Sequence, residues 1–494
     1  MDFQPCLIQI PESFMFPTVK ALHFACALIV ASLTFEPAIA QTAAAHESAA
    51  APAVSAVGDL RMQAFDAAVW GMPIVSVDAM REAYFRDAGA RYNDIVYWSR
   101  PADWKNQTTT PNSTSLYVYF NYNLKDGPVV VDIPAEDGVG AFGSLLDAWQ
   151  VPLADVGHDG EDHGKGGRYL LLPPGFNGQL PEGYIPVRSA TNNGYALIRV
   201  TPRTRSGADL DKANAYIRAL RVAAQSDATG AAGQRFIDME GKLFDGIVRF
   251  DDTYFARLAR MVSEEPSLPR DADMYGSLRA LGIDAARPFA PDAATRALLR
   301  GAAAQAHDSF RRTLLAGTQS WWPGSQWGTS APVRLGVKTH FTFEDGQHLD
   351  TGMRGAVYFL GYAPPQKFGK ASFYLTSWHD GQGEPLDGSA HYRLHVPPNV
   401  PAREFWAVNV YDNDTCAFFP KAPHVGIDSL DNALQRNADG SVDLYFGPTP
   451  PSGKASNWIY TMPGKLWFTG FRFYGPEPAV FDKSWALPDL SKML

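Results

Sequence analysis

Three histidines, His379, His391 and His395, are of the type from which transition-metal sites are built. If residues 391–395 form a strand, His391, Arg393 and His395 share one face, because strand side chains alternate with period two. His379 ends the preceding strand pattern, so three imidazoles would converge at a sheet end with one coordination position open, as in catalytic metal centres. Arg393 between two of them opposes a dication, and the same residues also suit a solvated strand face. His158-Asp159-Gly160-Glu161-Asp162-His163-Gly164 is dense in ligand types. Its acidic oxygens suit calcium and its imidazoles a transition metal, so the run reads as a polar surface loop. Asp380, Asp412 and Asp414 are carboxylates of the kind acid–base catalysis uses, but no spacing rule selects a facing pair, and all three suit turns. Cys416 leads into Ala417-Phe418-Phe419, which favours a buried, inert thiol.

Trp321-Trp322-Pro323-Gly324-Ser325-Gln326-Trp327 sets three indoles in a Gly/Pro loop. Each offers flat apolar faces and a single donor, which suits stacking on sugars or aromatic ligands and equally suits sealing a domain interface. Trp321, Trp322 and Trp327 are the expected ligand-binding residues. No Gly-x-Ser-x-Gly elbow, His-Glu-x-x-His helix, phosphate-binding loop or dinucleotide fingerprint occurs. Common serine hydrolases, zincins, phosphate-loop enzymes and NAD enzymes are therefore disfavoured, and no nucleotide cofactor is expected. A metal stays open through the histidine group.

The elements that must position these residues follow from periodicity. Leu60, Phe65, Val69 and Met72 recur at helical spacing up to Pro73, which is expected to end or kink the helix. Short β-rich runs at 116–121, 128–133, 168–172 and 195–200 predict an antiparallel sandwich. Between about Pro202 and Arg334 the period turns helical. Leu210, Ala213, Ile217, Leu220 and Ala224 form one stripe, Tyr254, Leu258 and Met261 a second, Met274, Leu278 and Leu281 a third. Leu299, Ala302, Ala306, Phe310 and Leu314 form a fourth after the start signal Pro291-Asp292. Strands return at 371–378, 391–396, 405–411, 442–446 and 466–474, as in a second sandwich or jelly roll. The class is mainly β with a helical middle domain, an α+β multidomain chain. The expected boundaries are 59–202, 203–335 and 336–494.

A chain of 494 residues exceeds one core, in keeping with two or three domains. Lys plus Arg (43) against Asp plus Glu (52) leaves a net charge of −9, without the basic face that nucleic-acid binding requires. The apolar run 21–35, preceded by Lys20 and followed by Ala38-Ile39-Ala40, reads as a signal peptide over residues 1–40. Met15 is an alternative start to Met1, because Met15 to Lys20 makes a short positive n-region whereas the residues before it add acids. Residues 41–58, rich in Ala and Ser, read as a flexible leader. No other apolar run approaches the roughly 20 residues that span a bilayer, so no membrane anchor is expected. Loss of residues 1–40 would remove Cys6 and Cys26, leaving Cys416 without an intrachain partner.

Trp70-Gly71-Met72-Pro73, the run from Thr110-Pro111-Asn112-Ser113 through Thr114-Ser115-Leu116-Tyr117, Gly127-Pro128-Val129-Val130, and the run from Gly166-Gly167-Arg168 to Pro173-Pro174-Gly175 resemble the first half of exported proteins that pair the domains of unknown function DUF 1254 and DUF 1214. Leu386-Asp387-Gly388-Ser389, Phe405-Trp406-Ala407-Val408, Asn437-Ala438-Asp439-Gly440-Ser441, Ser456-Asn457-Trp458-Ile459 and Arg472-Phe473-Tyr474-Gly475-Pro476 resemble the second half. The resemblance implies an immunoglobulin-like sandwich, a helical middle and a C-terminal jelly roll, together with a periplasmic or secreted location. It carries over no catalytic residues. Where the family has Asp after its Asn motif, this chain has Thr114. The leading functional expectation is an exported, soluble protein that binds a carbohydrate or small organic ligand at an inter-domain cleft. The alternatives are a hydrolase of envelope or nutrient polymers, metal-assisted or using paired carboxylates, and a structural or assembly protein without ligand.

Overall fold

Helix α1 (Ala51–Arg86) buries Ala64, Ala67, Trp70, Met72, Ile74 and Val75 around its whole circumference, the pattern of an interior helix. The computed structural model describes residues 51–227, 233–329, 341–345, 348–367, 369 and 371–493. The expected signal peptide lies outside the described residues, as does the expected leader up to residue 50; residues 51–58 are the first turns of α1. Pro73 does not end the helix. A proline withholds the N–H that Val69 O would accept, and the carbonyls on either side of Val69 O take side-chain donors. Tyr254 Oη donates to Ala68 O at 2.6 Å and Arg354 Nη2 to Trp70 O at 2.9 Å.

The first β region contains β1 (Ile95–Tyr97), β2 (Leu116–Asn123), β3 (Val129–Ile133), β4 (Val139–Asp147), β5 (Pro152–Gly157), β6 (Gly167–Leu172), β7 (Ile185–Arg188) and β8 (Asn193–Pro202). Helix α2 (Gly207–Ala219) leads into β9 (Arg221–Ala224), and β10 (Phe236–Asp238) follows. These strands form a six-stranded sheet, β10-β1-β2-β8-β4-β5, and a four-stranded sheet, β9-β3-β6-β7. Val118, Phe120, Leu145 and Ile198 meet Val131, Tyr169 and Leu171 in a core between the sheets, which α2 closes with Ala213 and Ile217. The stripe expected to stay helical through Ala224 breaks at Leu220, because Arg221 to Ala224 pair with Asp132 to Val129. A full ladder partner outweighs weak local helix preference. The register sets Tyr117 opposite Arg199 opposite Phe142, and Tyr119 opposite Leu197 opposite Ser144. With period-two alternation, these six side chains share the face turned away from the sandwich core.

Helices α3 (Asp252–Glu264), α4 (Ala272–Ala280) and α5 (Ala293–Gly317) follow the predicted stripes, and Leu258, Met261, Leu278, Leu299, Phe310 and Leu314 are buried. After β11 (Gln319–Ser320) and β12 (Gly328–Thr329) comes a helix the periodicity did not reveal, α6 (Thr351–Leu360), N-capped by Asp350 Oδ1 accepting from Met353 N. The second β region consists of β13 (Ser372–Ser377), β14 (Tyr392–Val396), β15 (Ala402–Asp412), β16 (Gly426–Asp428), β17 (Val442–Gly447), β18 (Trp458–Tyr460), β19 (Trp467–Pro476) and β20 (Ser491–Lys492). Its sheets run β11-β12-β13-β19-β15-β16 and β18-β17-β14-β20. Phe373, Leu375, Trp406, Val408, Phe471 and Phe473 enter the buried core. Tyr374 pairs with Arg472, Asn409 with Gly470 and Tyr411 with Phe468, so these side chains turn to the opposite face. The β-rich, multidomain architecture with a helical middle is thus the one expected.

Candidate functional site

The two sheet faces that point out of their own cores look toward each other, and between them lies a cavity of about 240 Å³. The first region contributes Tyr117, Tyr119, Phe142, Ser144, Leu197 and Arg199. The second contributes Ser372, Tyr374, Tyr411, Phe468, Gly470 and Arg472. Residues 108–112 and the end of α6 with the segment to Lys367 complete the wall. Most of the lining is carbon, with hydroxyls and two guanidinium groups set into it.

The stretch 110–117 stitches the regions together. Asn112 Oδ1 accepts from the backbone N–H groups of Thr114 and Ser115 at 3.0 and 3.1 Å, folding the loop on itself. Its outward groups then meet the second region: Tyr411 Oη donates to Pro111 O at 2.7 Å, Asn409 Nδ2 to Ser113 Oγ at 2.9 Å, and Arg472 Nη2 to Thr110 O at 2.9 Å. Thr110 is held at φ 40°, a left-handed conformation rare for threonine. Cys416 O accepts from its N–H and Leu360 O from its hydroxyl. Thr114 is buried, with its hydroxyl against Tyr474 Oη at 3.3 Å.

Two arginines dominate the electrostatics. Arg472 is buried, donates through Nη1 to Asn409 Oδ1 at 2.6 Å and to Tyr411 Oη, and lies 5.2 Å from the Tyr374 ring centre. The Arg199 guanidinium sits 5.7 Å from the Tyr117 ring and 5.5 Å from Phe142, and its Nε is buried without a hydrogen-bond partner. Burial pushes the phenols of Tyr119, Tyr362 and Tyr411 upward, so they stay neutral donors. Burial also raises the Asp155 carboxyl to about 6. Its oxygens accept from Ser144 Oγ at 2.9 Å and from Gln366 N at 2.9 and 3.0 Å, anchoring the segment that borders the cavity.

The residues singled out by sequence type lie elsewhere. None of Trp321, Trp322 and Trp327 lines the cavity. Their indole N–H groups donate to Val480 O, Trp485 O and Pro488 O at 3.0, 3.0 and 2.9 Å. Trp327 is wholly shielded and Trp322 nearly so, while Trp321 packs 4.9 Å from Phe373. The loop is a latch for the chain's C-terminal segment, because carbonyls there meet the single donor each indole has. The expected metal site at His379, His391 and His395 does not assemble either. His391 Nε2 hydrogen-bonds Thr449 O at 3.1 Å and His395 Nδ1 pairs with Asp443 Oδ1 at 2.9 Å. Sharing a strand face is not proximity: four residues along a strand separate their Cα atoms by roughly 13 Å. Among the described residues no three His, Cys, Asp or Glu groups are placed to hold a metal ion. In the 158–164 loop, Asp162 Oδ1 accepts from Gly157 N and Tyr169 Oη at 2.7 and 2.8 Å. Asp380 Oδ1 caps a turn through Gln382 N and Glu384 N, and Asp414 pairs with Lys465 at 2.8 Å. Cys416 is fully buried and burial pushes its thiol up.

Family models place these surfaces. One described as a protein of unknown function, DUF1254, matches residues 92–224, and one described likewise, DUF1214, matches 371–478. The chain carries both domains. The cavity therefore lies between the DUF1254 domain, which supplies Arg199, and the DUF1214 domain, which supplies Arg472. No curated protein matches the chain. The crystal structure of the VPA0106 protein from Vibrio parahaemolyticus is similar with a TM-score of 0.51 at 17% identity, covering 88% of this chain and 100% of that one; the likeness is one of fold. A putative uncharacterized protein from Burkholderia cenocepacia has a TM-score of 0.39 at 12% identity, covering 89% of this chain and 95% of that one. Stretch 110–117 and Arg472-Phe473-Tyr474, which carry the sequence resemblance, prove to touch one another. Pairing the two stretches was the signal by which the site could have been found.

Proposed function

We propose that the protein binds a small organic molecule with a largely apolar body in the cavity between its DUF1254 and DUF1214 domains. One observation carries this reading: two sheets from separate domains leave about 240 Å³ between faces rich in tyrosine, leucine and phenylalanine, with hydroxyls at intervals. Ligand sites are typically concave, mostly apolar and set at domain boundaries, with few polar groups to fix orientation. The predominance of carbon favours an aromatic or aliphatic body over a carbohydrate. An engineered apolar cavity of about 150 Å³ holds one benzene, so this one has room for one or two rings.

Gly470 offers a test. It faces the cavity, and a Cβ added there would stand 3.7 Å from Tyr411, an ordinary contact. The Cβ of Gly470→Leu is therefore accommodated, and the rest of its side chain should occupy the cavity. In calorimetric titrations of the full chain with one- and two-ring aromatics and medium-chain aliphatics, compounds that bind the wild type should bind the variant at least tenfold more weakly. Equal affinity in both proteins would rule out this placement.

A further inference from the structure

Two arginines elsewhere in this protein show how carboxylates satisfy a buried guanidinium. Arg81, which is 5% exposed, lies 2.7 Å from Asp78 and also pairs with Glu264, and Arg257 pairs with Asp78 and Glu82. Arg354, buried with Nε and Nη1 unpartnered, departs from that pattern away from the cavity, and Arg199 and Arg472 depart from it in the cavity wall. Among the described residues neither has a carboxylate within ion-pair distance, although both remain cationic at any working pH. Arg472 compensates with a carbonyl, an amide oxygen, a phenol and two ring faces. Arg199 is half-buried, with ring faces beside it and a buried Nε without partner. Burying a charge like that of Arg472 on such terms is costly unless a counter-charge arrives, and the half-buried Arg199 shares that cost in part.

The cavity is where that counter-charge would sit. Both guanidinium groups line it, one from each sheet, Arg199 beside the Tyr117 and Phe142 rings and Arg472 beside those of Tyr374 and Tyr411. Lys367 adds a third cation at the exposed rim. Against them stand Asp159, exposed at the rim, and Asp155, whose oxygens already accept from Ser144 and Gln366. The interior thus presents positive charge beside apolar surface from Leu197, Phe142, Leu360 and Phe468.

We infer that the cavity takes an organic carboxylate, its anionic head held by Arg199 from one domain and Arg472 from the other, its one- or two-ring or medium-chain body against the apolar wall. The inference rests on the cavity being a binding site and adds the class of ligand. A planar guanidinium fork matches a carboxylate through two parallel N–H···O bonds. Because the head bridges two sheets, such a ligand also ties the domains together.

Calorimetry with the full chain tests this by comparing 2-naphthoate with 2-naphthamide and decanoate with decanamide, each pair sharing a body and differing in charge. At least one acid should bind tenfold or more tightly than its amide. Arg199→Gln should abolish that preference and Arg199→Lys should retain part of it, with thermal melts confirming that both variants fold. Arg199 is the position to vary, since Arg472 also supports the 110–117 loop. If acids and amides bind alike, or if Arg199→Gln keeps the preference, the carboxylate assignment fails while the cavity remains a binding site. If neither acid nor amide of either pair binds, the cavity reading falls with it.

Discussion

An indole has two faces and one donor, and residues far away in the chain decide what they meet. Trp327 was recognisable as part of an aromatic loop, but its partner carbonyl, Pro488 O, stands more than 150 residues later, where local sequence gives no hint of it. Trp327→Ala removes a fully buried ring that meets Phe471 edge-on at 6.2 Å. A loss of about 3–5 kcal/mol is expected from urea denaturation, with the affinity of cavity-binding compounds unchanged in the folded variant. A stable variant that lost such binding would return the ligand site to the indole loop. The histidines carry a parallel lesson. Period two placed His391 and His395 on one strand face, but in the structure His391 just precedes β14 and bonds Thr449, while His395 faces Asp443 across the ladder.

Elements with strong periodicity were legible, and those made by context were not. The runs 116–121, 168–172 and 442–446 became strands β2, β6 and β17 with ends shifted by a residue or two. Helix α6 escaped because Thr351-Gly352-Met353-Arg354-Gly355 offers two glycines and one apolar residue in five positions. Only Asp350, its N-cap, marked the start. Gly355 is also where α6 meets α1. A Cβ there would lie 2.9 Å from Val69 O and 2.5 Å from the Phe310 ring. Alanine would gain about 1 kcal/mol in helix propensity, but overpacking a tight contact costs about 1–3 kcal/mol. With a backbone oxygen and a buried ring both in the way, the clash should win. Gly355→Ala is expected to lower stability by roughly 1 kcal/mol in chemical denaturation; a variant more stable than wild type would show that α1 retreats freely. Arg354, one residue earlier, donates to Trp70 O in the turn before Pro73, tying α6 to α1 a second time.

At the scale of the whole molecule, residues 1–40 are proposed to direct export and to be removed. Mass spectrometry of the protein recovered from the producing cell's envelope should find Gln41 at the N-terminus; recovery there of chains that keep Met1 or Met15 would overturn this. Composition and periodicity determined the class of the protein by themselves: two β regions around a helical middle. They could do so because burial is local in its demands, and a strand or helix that covers a core must repeat its apolar residues at its own period. The site obeys no such rule. Arg199 reads as a polar residue on an amphipathic strand, and so does Arg472. Their placement on opposite walls of one cavity follows from how two sheets dock through Thr110, Pro111 and Ser113. Only the tertiary structure decided that, because the contacts that create the cavity join residues some 300 positions apart and no period along the chain encodes them.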